Sequence, residues 1–188
     1  EQSANFKTEY KIKNKNNFIK FFNFFLFKDS ISILDIKKKS NMFHSRFSAT
    51  KRSYKYFIIN REAPTVLNKN RAWHIRKKLD INLMKKGAKV LSEIKDFSTF
   101  RSSSCSAKSP IKKLEKIKIT KKSNKIEILF ISKSFLQNQV RSMVGCLKYL
   151  AENKWTLKKF KQIALSKKRS NCAPPAPAHG LYLAKIKY

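Results

Sequence analysis

At 188 residues, 41% of them hydrophobic, the chain is long enough for one sizeable core, or for one domain and part of another. Lys and Arg number 44 against 11 Asp and Glu, a formal charge of +33, which points to a polyanion partner because phosphate contacts release counterions and supply sequence-independent affinity. Neither a transmembrane helix nor a signal peptide is expected from these residues: the apolar run Ile19–Phe27 is short and carries Lys20 and Asn23, and the opening lacks the zones of a leader. Two other readings of the charge stay open: lysine richness from AT-rich coding, and an anionic membrane surface as the partner.

In chain order, Gln2–Phe6 alternates and reads as the end of a strand. Asn16–Phe27 is rich in Phe and reads as a helix with a buried face. Ile31–Ile36 reads as a strand stopped by Lys37–Lys39. Arg52–Ile59 alternates with Tyr, Phe and Ile, which suits a half-buried strand. Arg61–Arg76, with Pro64 and several Asn and Lys, reads as loop. Asp80 is placed to cap a helix that carries Leu83, Met84, Gly87, Val90 and Leu91. Ser102–Pro110 is a small-residue loop. Leu114–Ile119 and Ile126–Ile131 alternate around Ser123-Asn124, a hairpin signal. Phe135–Ala151 puts Leu136, Val140, Met143, Val144, Leu147 and Leu150 on one stripe. Thr156 is placed to cap a last helix, Ala173–Ala178 is a Pro-Ala linker, and Leu181–Tyr188 closes the chain as a strand. The pattern predicts an α+β fold, an antiparallel sheet with helices packed on one face.

Cys105, Cys146 and Cys172 are odd in number and far apart, and no C-x-x-C pair exists. Neither a disulfide framework nor a zinc site is expected, and the compartment reads as reducing and cytoplasmic. His44, His74 and His179 are scattered, so no metal site is expected from them. The chain opens on Glu1 and its first methionine is Met42, so an N-terminal truncation is expected.

Five blocks carry a family resemblance. Phe43-His44-Ser45-Arg46-Phe47-Ser48-Ala49-Thr50, followed by Arg52-Ser53-Tyr54-Lys55-Tyr56, is the first. Asp96-Phe97-Ser98-Thr99-Phe100-Arg101 and Ala107-Lys108-Ser109-Pro110 come next. Phe135-Leu136-Gln137-Asn138-Gln139-Val140-Arg141-Ser142-Met143-Val144-Gly145 is the fourth, and Ala176-Pro177-Ala178-His179-Gly180-Leu181-Tyr182-Leu183 the last. In this order they resemble TruA-type tRNA pseudouridine synthases over residues 43–188. More loosely, Glu1–Phe6 is similar to the stretch that follows the family's catalytic aspartate. The resemblance then implies that the chain begins just past that residue. It divides the chain into residues 1–41, a remnant of the N-terminal domain and its connection, and residues 42–188, the C-terminal pseudouridine synthase domain.

The resemblance implies an isomerase that converts uridines at positions 38, 39 and 40 of the tRNA anticodon stem-loop to pseudouridine. It implies a homodimer, a cytoplasmic setting, and no metal or organic cofactor. Tyr54 becomes the tyrosine that packs the flipped base; spacing alone reads it as a core tyrosine of a strand. Arg141 becomes the partner that orients the catalytic aspartate; its bland reading is a solvated helix arginine. Arg46 and Arg52 are candidates for phosphate contacts, against general surface charge. Phe97, Phe100 and Phe135 read as core. Asp29, Asp35, Asp80 and Asp96 lie in no turn suited to a nucleophile, so none is assigned as catalytic and the 188 residues are expected to lack activity alone. The competing reading is a non-catalytic RNA-binding protein or a degenerate paralogue. A membrane-surface protein is more distant, because only Thr156–Lys168 approaches a basic amphipathic helix.

Overall fold

The computed structural model describes residues 2–188. They form two compact units, residues 3–48 and residues 49–188, the second also taking in Gln2.

In the smaller unit, helix α1 (Lys15–Leu26) starts where the Asn14 side chain accepts from Asn17 N. Its phenylalanines pack on one another, Phe18 tilted against Phe22 at 4.5 Å and Phe21 edge-on to Phe25 at 5.0 Å. No residue of α1 is buried, so the buried face expected from its sequence is absent within this unit. One helix and an extended arm are too little surface to cover so many rings. The arm, residues 31–36, is extended but unpaired as a strand; Asn23 holds it instead, accepting from Ile33 N and donating to Ile33 O. Residues 2–6 likewise belong to no strand.

The larger unit is α+β. Strand β1 (Lys51–Asn60) is its centre. A short β2 (Trp73–Ile75) runs parallel to the end of β1, pairing Ile58 with Trp73 and Asn60 with Ile75. Helix α2 (Ile81–Glu93) follows, then the hairpin β3 (Leu114–Lys122) and β4 (Lys125–Ser132), helices α3 (Gln139–Ala151) and α4 (Leu157–Leu165), and β5 (Leu181–Lys187). β4 pairs antiparallel with β1 on one edge and with β3 on the other. The remaining edge of β1 is shared: β5 pairs antiparallel with Lys51–Tyr56, and β2 takes Ile58–Asn60.

Alternation decides which face is covered. Tyr56 and Ile58 on β1 stand opposite Ile128 and Ile126 on β4, and all four are fully buried. On the opposite face Lys55, Phe57, Glu127 and Leu129 are only half-buried, and Lys55 pairs with Glu127 at 2.9 Å. α2 lies against β3 and α3, with Met84 and Leu91 fully buried. Phe97, Phe100, Phe130, Met143, Leu147 and Phe160 complete the core, each worth about 1.5–3 kcal/mol on burial.

Local chemistry sets the boundaries. Asp80 Oδ1 accepts from Leu83 N at 2.9 Å and Thr156 Oγ1 from Lys159 N at 3.2 Å, which starts α2 and α4 as their sequences suggest. Asp80→Ala is expected to cost about 1 kcal/mol in urea unfolding and Asp80→Asn a few tenths; equal stability of the alanine variant and the parent would refute the cap. α3 starts later than its apolar stripe predicts, because Asn138 sits in the left-handed region at φ 60 and breaks the run. Residues 137–138 instead form a turn, closed by Gln139 N donating to Leu136 O at 3.1 Å. At the far end of β1, buried Asn60 donates to Ile75 O and Lys77 O and accepts from Leu79 N, a fully bonded polar knot that aims the chain into α2.

Candidate active site

Tyr54 lies on the helix-covered face of β1, opposite Phe130 of β4 and Leu183 of β5. At this point β5 shifts register, pairing Lys185 with Ser53 but Leu183 with Tyr54, and such bulges re-aim side chains. The Tyr54 ring meets Phe135 edge-on, 5.2 Å between centroids at 89°. Burial pushes the phenol above its ordinary range, and the charge of Arg52 partly offsets this. Arg52 is thus Tyr54's electrostatic neighbour, and its Nη1 donates to Lys133 O at 2.6 Å.

Arg141 sits in the first turn of α3. Its Nε donates to Ala176 O at 2.6 Å, its Nη1 donates to Asn138 Oδ1 at 3.2 Å, and its own carbonyl accepts from Ala176 N at 3.0 Å. These bonds fix the guanidinium plane while leaving Nη2 uncommitted among the described residues. A cation at a helix N-terminus adds to the positive end of the helix dipole, so its position favours an anion there.

A second tyrosine completes this corner, and the sequence reading missed it. Tyr56 is fully buried, and its hydroxyl donates to Pro177 O at 2.7 Å. Burial drives its phenol far above the ordinary range, and the nearby Arg141 charge opposes the shift. Residues 172–177 thus run as a strap over α3, bonded at Ala176 to Arg141 and at Pro177 to Tyr56. The spacing Tyr54-x-Tyr56 was the available signal, since alternate strand residues share a face.

Tyr54 and Arg141 both attach to the short segment 135–138 that leads into α3, one through Phe135 and the other through Asn138. Arg46 belongs to the smaller unit, where its guanidinium lies over Phe47 at 5.6 Å and its backbone N–H donates to His44 Nδ1. Three of the four aspartates have other employment. Asp80 caps α2. Asp96 accepts from Ser98 N and Oγ, which holds its carboxyl below the usual range. Asp35 pairs with Lys15 and Lys37 in the smaller unit. Among the described residues no carboxylate pairs with Arg141 and no group of three or more His, Cys, Asp or Glu could hold a metal. At the far end of β1 an open groove of about 870 Å³ is lined by Arg61, Arg76, Lys77, Lys78 and Lys121, with Glu62 the one acid among its lining residues.

The sequence model of a family described as tRNA pseudouridine synthase matches residues 94–188. The chain is 58% identical to a tRNA pseudouridine synthase A of Pelagibacter ubique (strain HTCC1062), over all of this chain and 76% of that protein. It is 42% identical to one of Parvibaculum lavamentivorans, over 84% of this chain and 64% of the relative. With the Ehrlichia canis (strain Jake) protein of the same name it shares 41% identity over 88% of this chain and 68% of the relative.

Proposed function

The chain belongs to the tRNA pseudouridine synthase family, a family of isomerases, and from that premise we propose that its larger unit holds the base platform and the orienting arginine of an enzyme acting on the tRNA anticodon stem-loop. The uridines are those at positions 38, 39 and 40. The setting is the cytoplasm, on the cysteine usage, and the working form a homodimer, on the family resemblance alone. Arg141 carries the reading: a guanidinium fixed by the strap, at a helix N-terminus, with donors left over beside the segment that supports Tyr54.

The chemistry follows from those parts. A flipped uridine needs a ring against its face, which Tyr54 supplies. A carboxylate nucleophile needs a partner that keeps it ionised and aimed, which the spare Arg141 donors supply. The glycosidic C–N bond breaks, the base turns, and a C–C bond forms in its place; C5 releases its proton and N1 takes one up, so the product is an isomer. None of the chain's own aspartates suits the role, so the carboxylate comes from beyond these 188 residues. Arg46 and Arg52, with the groove around Arg76, Lys77 and Lys121, hold the RNA through phosphates and shape.

Tritium release from tRNA labelled at uridine C5 tests this. The 188 residues alone should release none. A fusion with the part of the Pelagibacter relative that they do not match should turn over. Binding by either protein should weaken at least about tenfold between about 50 and 200 mM salt. Turnover by the 188 residues would remove the external nucleophile. Salt-dependent binding with no turnover by the fusion would leave an RNA-binding protein instead.

A further inference from the structure

Cys146 and Cys172 are far apart in sequence, and the fold puts their sulfurs 3.4 Å from each other. Cys146 is on the buried face of α3 and is 1% exposed; Cys172 is at the start of the strap and is partly exposed. A disulfide needs about 2.05 Å between sulfurs, so the pair is short of bonding distance by little more than a bond's length. The strap cannot drift away from α3, since Arg141 and Ala176 bond it twice and the Pro174 carbonyl lies against Gly145.

Two buried polar groups border Cys172, the Ser142 hydroxyl and Nη1 of Arg169, and neither has a hydrogen-bond partner away from the sulfurs. Both touch on the state of Cys172. The Cys146 thiol, donating to it, holds Cys172 below the ordinary thiol range, and Arg169 and Ser142 act in the same direction. Cys146, hydrogen-bonded to Cys172 and buried, is pushed the other way and keeps its proton. Two sulfurs with no third His, Cys, Asp or Glu nearby do not make a metal chelate among the described residues.

We propose that Cys146 and Cys172 are a modification site, a dithiol that a peroxide oxidises reversibly to a disulfide and that thereby staples the strap to α3. The inference stands on the sulfur geometry and does not depend on the reaction proposed above. Cys172 is the sulfur a small oxidant reaches first. Its thiolate attacks one peroxide oxygen, the O–O bond breaks, and a sulfenic acid and hydroxide result. Cys146 then attacks the sulfenic sulfur, its proton passes to the departing hydroxide, and the S–S bond closes. In sum two thiols and one hydrogen peroxide give one disulfide and two waters, each sulfur losing one electron. A dithiol reductant reverses the step. In a reducing compartment the pair rests as thiols and registers only an oxidising episode.

The test uses the whole chain. It is treated with hydrogen peroxide, its free thiols are alkylated, and it is digested with trypsin. The expected product joins the peptide Ser142–Lys148 to Ser170–Lys185, two hydrogens lighter than the pair, and dithiothreitol abolishes it. Cys105→Ser should leave the product intact and Cys172→Ser should remove it. The oxidised chain should melt higher by an amount on the order of 5 °C, because the cross-link closes a loop in the unfolded chain. Full alkylation of both cysteines after peroxide, a link to Cys105, or oxidation that stops at a sulfinic acid on Cys172 would each overturn the proposal. The peptide map of the unmutated chain decides the matter even if a serine variant fails to fold.

Discussion

Arg141→Ala, introduced into the fusion that carries the nucleophile, should lower turnover on the order of 10²–10³-fold while tRNA affinity changes by no more than about threefold. The asymmetry follows from where the guanidinium spends its donors. Nε and Nη1 go to Ala176 O and Asn138 Oδ1, which set the plane. In the proposed reaction the remaining donors hold a carboxylate whose position decides the rate and not the affinity. Affinity comes from many other cations in a chain of charge +33, so one loss among them is small. Arg141→Lys should recover little, because an ammonium keeps the charge but cannot reach two tethers and a carboxylate together. Tyr54→Ala should also cut turnover, by about tenfold or more, through loss of the base platform. Single-turnover tritium release and filter binding on the same preparations separate the two quantities. Equal losses in turnover and binding would make Arg141 a phosphate contact, and normal turnover would remove it from the site.

What the sequence disclosed and what it hid divide along the range of the interactions. The caps at Asp80 and Thr156 and the β3–β4 hairpin are local, since a side chain or turn acts within a few residues, and all are where the sequence puts them. β1 and β5 follow from alternation, because their partners cover one face. β2 was hidden: three residues in a polar loop carry no period, and only the edge of β1 left open by β5 makes Trp73–Ile75 a strand. The reverse happened at residues 31–36, where an alternating stretch found no strand to pair with and is held by Asn23 instead. The onset of α3 was misread because apolar spacing does not register one left-handed residue at Asn138. For the candidate site, motif blocks named Tyr54, Arg52 and Arg141, while the strap that holds Arg141 and the buried Tyr56 under it depend on long-range contacts with no local trace. The thiol pair was invisible for the same reason.

Gly145→Ala should destabilise the chain by about 2 kcal/mol or more, although glycine-to-alanine in a helix interior ordinarily gains about 1 kcal/mol. Two effects oppose each other here, and the geometry decides between them. A Cβ on Gly145 would come to 2.1 Å from the Pro174 carbonyl oxygen, a backbone atom that has no rotamer to turn away. Either α3 tilts or the strap lifts, and both strain the bonds between Arg141 and Ala176. Gly87 in α2 is the control. Its added Cβ would meet side-chain tips of Leu150 and Leu147, which can rotate, so Gly87→Ala should fall within about 1 kcal/mol of the parent. In thermal melts the Gly145 variant should lose about 5 °C or more. The fusion carrying Gly145→Ala should also lose turnover, because a lifted strap no longer fixes the guanidinium plane. Adding Arg141→Ala to it should then cost less than Arg141→Ala alone, since contacting residues are not additive. Additive losses, or a Gly145→Ala chain as stable as the parent, would mean the strap yields freely and does not position Arg141.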